Sequence, residues 1–268
     1  MLFRSPVKFT PIQDWITHGK DNKYVVSRLK NAKTVLTENT LTKMKKYKII
    51  FAIITLGLSF YFALAITKKV FAKKEITVNK IENLQLNSFQ DGDIFFQTSQ
   101  SEQCEAVRIA TSSKFSHCGI LLIIDGQKMI FEAVQPVKLT PVQDWIKHGK
   151  DNKYLVSRLK NAKTVLTDST LTEMKKYGHN FLNKDYDGYF NWSDEQIYCS
   201  ELVWKIYKNA ANIELCKLAK LKSFNLENAK VKIILQQRYG LVIPLEEDVV
   251  APSQLVKSEL LETVFDNY

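Results

Sequence analysis

The chain has 268 residues, a formal net charge of +10 and a 45% share of hydrophobic residues, too apolar for a disordered chain. Its four cysteines, Cys104, Cys118, Cys199 and Cys216, show neither CxxC pairing nor zinc-ligand spacing, so neither a disulfide scaffold nor a metal or other cofactor is expected. The lysines are scattered without a nucleic-acid motif, and the positive charge fits anionic lipid or cell-wall polymer better than nucleic acid.

Residues 6–47 recur at 136–177 with 35 of 42 positions identical, so that residues 1–43 partly duplicate 131–173. One copied fragment is not a solenoid, which needs three or more stacked units. It reads as a truncated neighbouring copy fused ahead of an ordinary exported protein; the alternative is a true cytoplasmic tail. Forty-odd residues without a partner layer bury too little surface to form a domain, and only a helix near 40–47 is expected. Residues 44–66 come next, with Met44, Lys45, Lys46 and Lys48 leading an apolar run to Ile66. This is a signal peptide or a membrane anchor, and Ala63-Leu64-Ala65 offers a small-x-small cleavage pattern. Basic residues on both sides leave the orientation open by charge, while the signal-like start favours export of the C-terminal part. Residues 67–83 read as a basic linker, and 84–268 suffice for one compact α+β domain.

Within that domain a helix is expected over 102–110. Two apolar β-branched runs flank Asp125-Gly126, a strong hairpin signal. A two-residue turn pairs Ile124 with Gln127, Gly119 with Glu132 and His117 with Val134. Strand alternation then sets His117 and Glu132 on one face as diagonal neighbours and turns Cys118 to the other, core face. Lys153–Leu159 reads as a strand, and Ser169–Phe181 as a helix capped by Ser169 or Thr170. His148 and His179 read as solvated.

From Cys199 the apolar positions Leu202, Val203, Ile206, Tyr207 and Ala210 trace one helical face. Cys199 opens that helix, where free N–H groups stabilise a thiolate and can receive an oxyanion, tentatively through the Cys199 and Ser200 N–H groups. A histidine to deprotonate the thiol and a carboxylate to orient the histidine complete a nucleophile site. The competing reading makes each a structural residue: a buried thiol, a strand-end imidazole and a surface glutamate. Cys104 and Cys216 read as structural thiols.

Gly92-Asp93-Ile94-Phe95-Phe96, Phe115-Ser116-His117-Cys118-Gly119-Ile120, Phe131-Glu132-Ala133 and Tyr198-Cys199-Ser200-Glu201-Leu202-Val203 resemble the YiiX-like branch of the NlpC-type cell-wall peptidases. Asn183-Lys184-Asp185-Tyr186-Asp187 resembles the family's Gly-Lys-x-Tyr-Asp segment with Asn183 in place of glycine. Val249–Leu255 resembles its C-terminal segment, so the likeness spans roughly 84–268. The resemblance implies a circularly permuted papain-like fold, an antiparallel sheet packed against helices, in which the histidine strand precedes the cysteine helix. It implies Cys199 as nucleophile, His117 as base and Glu132 as third member, with Tyr198, Tyr186 and Ser116 lining the site. The activity implied is hydrolysis of an amide or peptide bond in a cell-wall peptide or N-acyl amino acid through a thioester. Acyl transfer or hydrolysis of a lipid-linked substrate is the alternative, and a non-catalytic membrane-tethered scaffold is the reading from another class. A membrane contact through 48–66 and a catalytic domain outside the cytoplasm, in a bacterial envelope, complete the expectation.

Overall fold

The structure, a computed structural model, describes residues 22–268, with side chains at 38–71, 85–101 and 103–268; residues 1–21 of the N-terminal copy lie outside them. The fold divides into two units between Glu82 and Asn83. The described part of the first unit is helical and belongs to α1 (Asn22–Ser88), so the stretch 67–83 read as a linker is helix. Within α1, Glu38–Phe71 is long and apolar enough to cross a membrane. The duplicated fragment changes state between its copies. Tyr24–Leu29 lies in α1, whereas the nearly identical Tyr154–Leu159 is a strand. Strand preference is largely the fit of side chains to a sheet, and only the second copy has one to join.

The second unit holds a six-stranded antiparallel sheet. Its strands are β1 (Ile94–Gln97), β2 (His117–Ile124), β3 (Gln127–Glu132), β4 (Lys138–Pro141), β5 (Tyr154–Leu159) and β8 (Leu261–Asp266), in the order β4-β3-β2-β1-β5-β8. A separate pair, β6 (Ala219–Lys220) and β7 (Asp248–Val249), lies outside it. The Asp125-Gly126 turn has φ of 49° and 78°, the left-handed pair that a two-residue hairpin requires, and it sets Ile124 opposite Gln127. Pairing continues inward to Ile120 opposite Phe131.

Alternation along the strands makes two cores. Ile94, Phe96, Cys118 and Ile120 face α6 (Cys199–Ala211), whose Leu202, Val203 and Ile206 are fully buried. Phe95, Leu121, Ile130 and Val156 face Trp145 of α3 (Val142–His148). The remaining helices are α2 (Glu102–Thr111), α4 (Ala162–Val165), α5 (Asp168–His179), α7 (Ala229–Tyr239) and α8 (Pro252–Leu255). The cap of α5 is Thr167 rather than Ser169 or Thr170, because the Thr167 hydroxyl accepts the Thr170 N–H; the helix ends at His179, short of Phe181. His148 closes α3 instead of standing in a loop, and like His179 it is exposed.

The Gly92-Asp93 start of β1 is fixed from two sides. Arg158 of β5 donates Nε and Nη2 to the two oxygens of the buried Asp93 carboxylate, each at 2.7 Å. The Tyr207 hydroxyl of α6 donates to the Gly92 carbonyl. Both cores lie inside residues 83–268, so this unit contains what its fold needs. Gly119, facing the α3 side, lets β3 approach closely: a Cβ there would stand 2.5 Å from Ile130 Cγ2 and 2.9 Å from the Phe131 carbonyl oxygen. Gly119→Ala is therefore expected to cost this unit about 1–3 kcal/mol in urea denaturation. An unchanged midpoint would contradict the β2–β3 packing.

Candidate active site

The structure brings Cys199, His117 and Glu132 together. Glu132 Oε2 lies 2.6 Å from His117 Nε2, and both side chains are buried. The other carboxylate oxygen accepts the Thr140 hydroxyl of β4 at 2.5 Å. With Nε2 turned to Glu132, Nδ1 is left for the Cys199 thiol, which forms a hydrogen bond with the imidazole. His117 stands at the start of β2, past the last β2–β3 pair, so the first residue of α6 can meet it from the other side of the sheet.

The three groups fix one another's charge. Burial disfavours imidazolium, but hydrogen bonds and attraction from Cys199 and Glu132 outweigh it and raise His117 to about 10. Cys199 is held well below the usual thiol range. The Cys118 thiol donates to its sulfur and burial opposes ionisation, while His117 and the Cys118 backbone add further stabilisation. Glu132 is pressed upward by burial, yet its bonds to His117 and Thr140 leave it below the ordinary carboxylate value. These contacts favour a thiolate–imidazolium pair braced by a carboxylate.

Three of these partners were not visible in the sequence. Cys118 is core, as expected from its face, but it also touches Cys199, and burial together with that thiolate raises its own thiol so that it stays a donor. Trp145 is fully buried and stacks on the His117 ring at 5.9 Å and 27°, fixing the imidazole and excluding water. Thr140 orients Glu132. No local motif marks Trp145 or Thr140, because their roles come from the pairing of β3 with β4 and the return of α3.

The start of α6 is tied down by its neighbours. The Tyr198 N–H donates to Glu201 Oε2 at 3.4 Å, and the Glu201 carboxylate pairs with Lys205 at 2.8 Å. Burial lifts Glu201 to about 8, against the pull of Lys205. The Ser200 hydroxyl donates to the Val250 carbonyl, and the Val250 N–H donates to the Tyr198 hydroxyl, so the 249–251 segment is stitched to the first turn. Asn183 has φ of 66°, the left-handed region where glycine is at home and asparagine is tolerated, which explains the exchange at that position. Its segment bonds to Val137 on one side and Ile197 on the other.

Cys199 opens on a cleft that Ser116, Tyr186, Tyr198 and Ser200 also line. Its walls are otherwise mostly apolar, from Ala106 and Val107 of α2, Val231, Ile234 and Leu235 of α7, and Val249–Pro252. Tyr186 accepts a hydrogen bond from Gln103.

A cysteine helix following a histidine strand, over an antiparallel sheet, defines the circularly permuted papain-like fold. The chain belongs to the family of permuted papain-like amidases (YaeF/YiiX, C92), whose model matches residues 88–265. It is 43% identical over 175 residues to "Uncharacterized protein YiiX" of Escherichia coli strain K12, covering 65% of this chain and 85% of that one. A crystal structure titled as metalloprotein yiiX from Escherichia coli O157:H7 is similar, with a TM-score of 0.64 and 42% identity, over 67% of this chain and 98% of that chain.

Glu132→Gln keeps the shape and removes the charge, so His117 is expected to fall from about 10. A raised folded pKa gives stability that is complete below the ordinary imidazole value of about 6.5 and is lost as pH climbs through the folded value. The stability deficit of Glu132→Gln should be full at pH 6, shrink between about pH 6.5 and about pH 10, and be gone above that in urea denaturation of residues 83–268. A deficit that does not change with pH would contradict the ion pair.

Proposed function

We propose that this amidase-family chain is a thiol hydrolase that cleaves an amide bond through an acyl-Cys199 thioester. The observation that carries this reading is the buried Cys199–His117–Glu132 relay at the mouth of an apolar cleft. The Cys199 thiolate adds to the carbonyl carbon, and the first-turn N–H groups of α6 at Cys199 and Ser200 receive the oxyanion. His117 gives its proton to the leaving amine as the C–N bond breaks. It then takes a proton from water, whose oxygen displaces the thiolate and frees the acid. Glu132 holds the ring and balances its charge throughout.

The apolar cleft favours an acyl chain over a cell-wall peptide, so an N-acyl amino acid is the preferred substrate. The same cleft supports the second reading, in which an acyl group from a lipid-linked ester is hydrolysed or passed to another acceptor. A similar solved protein is titled a metalloprotein, but among the described residues no three His, Cys, Asp or Glu side chains converge as a metal site, and no step is routed through one. The bilayer-length helix supports an exported or membrane-anchored enzyme acting outside the cytoplasm, with 48–66 as the membrane contact. Nucleic acid has no part in this reading.

Incubating residues 83–268 with N-acyl p-nitroanilides should release the amine and add the acyl mass to Cys199. Cys199→Ala should show neither, and mass on another residue would overturn the assignment. The catalytic efficiency should rise about fourfold per added methylene until the cleft is full. Val107→Trp, on the cleft wall, should shorten the preferred chain. An optimum that stays fixed would contradict the cleft as the acyl site.

A further inference from the structure

We infer that Arg238 makes the cleft select acyl substrates that carry an anionic group, a carboxylate or a phosphate. The inference rests on the reading that an acyl chain occupies this cleft beside Cys199. Among the described residues, Arg238 is the one guanidinium on the cleft wall, and no Lys, Asp or Glu side chain joins it there. It is half-buried at the last turn of α7, with its guanidinium carbon 5.1 Å from the centre of the Phe190 ring. Phe190 in turn meets Tyr198 edge-on at 5.2 Å, and Tyr198 precedes Cys199. The cation and the nucleophile are thus joined along one wall through two aromatic rings.

Three lysines of α7 and the 221–223 turn are matched by carboxylates. Lys230 pairs with Glu105, Lys232 with Glu227 and Lys222 with Glu246. Arg238 has no ion pair and no hydrogen bond to any described residue; its partner is the Phe190 ring. Asp187 feels its charge through space, but that carboxylate is buried and turned to its own loop, where Oδ1 accepts the Tyr189 N–H. A guanidinium in mostly apolar surroundings with its donors unmatched favours a bidentate oxyanion, which Arg recognises better than Lys. The ring beneath it fixes its plane and lowers the entropy lost on binding.

The probes are N-lauroylglycine, its neutral analogue N-lauroylglycinamide, and dodecyl phosphate. Their binding is measured on residues 83–268 carrying Cys199→Ala, so no turnover is needed. Charge-assisted bidentate bonding predicts at least about tenfold tighter binding of an anionic probe than of the neutral one. Arg238→Gln should reduce that preference to less than about twofold, and Arg238→Lys should keep part of it as a point charge without the fork. The stronger of the two anions identifies carboxylate or phosphate as the natural group. Equal binding of anionic and neutral probes overturns the inference, as does a preference that survives Arg238→Gln or an absence of binding by all three. A merely structural role for Arg238 would weaken all probes alike and leave their ratio unchanged. Failure of the thioester reading shows elsewhere, as absence of acyl mass on Cys199 in the wild-type unit, so the two failures are distinguishable.

Discussion

A buried ion pair is costly unless every charge in it is met, and this constraint organises the site. The Cys199 thiolate is met by the His117 imidazolium, the Cys118 thiol and backbone, and the start of α6. The imidazolium is met on its other side by Glu132, and the second oxygen of Glu132 by Thr140. Trp145 covers the ring and keeps water away. Each residue in this chain of contacts answers a charge that its neighbour would otherwise leave unmatched. Removing one partner would leave a buried charge, so fold stability and the ionisation of Cys199 depend on the same contacts.

The architecture follows from bringing the two sides of one sheet to that point. Cys118 and His117 are consecutive and face opposite ways, yet both reach Cys199, because α6 begins where β2 projects beyond β3. The first turn of α6 is then held by Glu201 and Lys205 from within and by the 249–251 segment from outside. That same segment forms part of the cleft wall. Fixing Cys199 and shaping the cleft beside it are therefore one structural task.

Much of this was legible because it rests on short-range rules. The Asp125-Gly126 turn determines register by counting, and that register, carried past the last β2–β3 pair at Ile120 and Phe131, sets His117 beside Glu132. The apolar stripe after Cys199 fixes the helix and puts the thiol at its N-terminus. What was not legible depends on distant strands meeting: Thr140 and Trp145 reach the site only through the β3–β4 pairing and the return of α3, and Arg238 only through the packing of α7 beside α2. The Thr167 cap is hidden because several hydroxyl-bearing candidates nearby look alike in sequence. The duplicated fragment shows the same limit most plainly. Tyr24–Leu29 and Tyr154–Leu159 differ at one position, and the presence of a sheet decides which becomes a strand.

The Cys118 thiol and the neighbouring His117 together pull Cys199 toward the thiolate. The most direct measurement is the pH dependence of iodoacetamide labelling on residues 83–268, mapped peptide by peptide in the wild type and in His117→Ala. Cys199 alone is expected to label fast well below the ordinary thiol pKa of about 8.5, and this reactivity should move to higher pH once His117 is removed. Labelling of Cys199 no faster than Cys104 or Cys216, or a profile indifferent to His117, would contradict it.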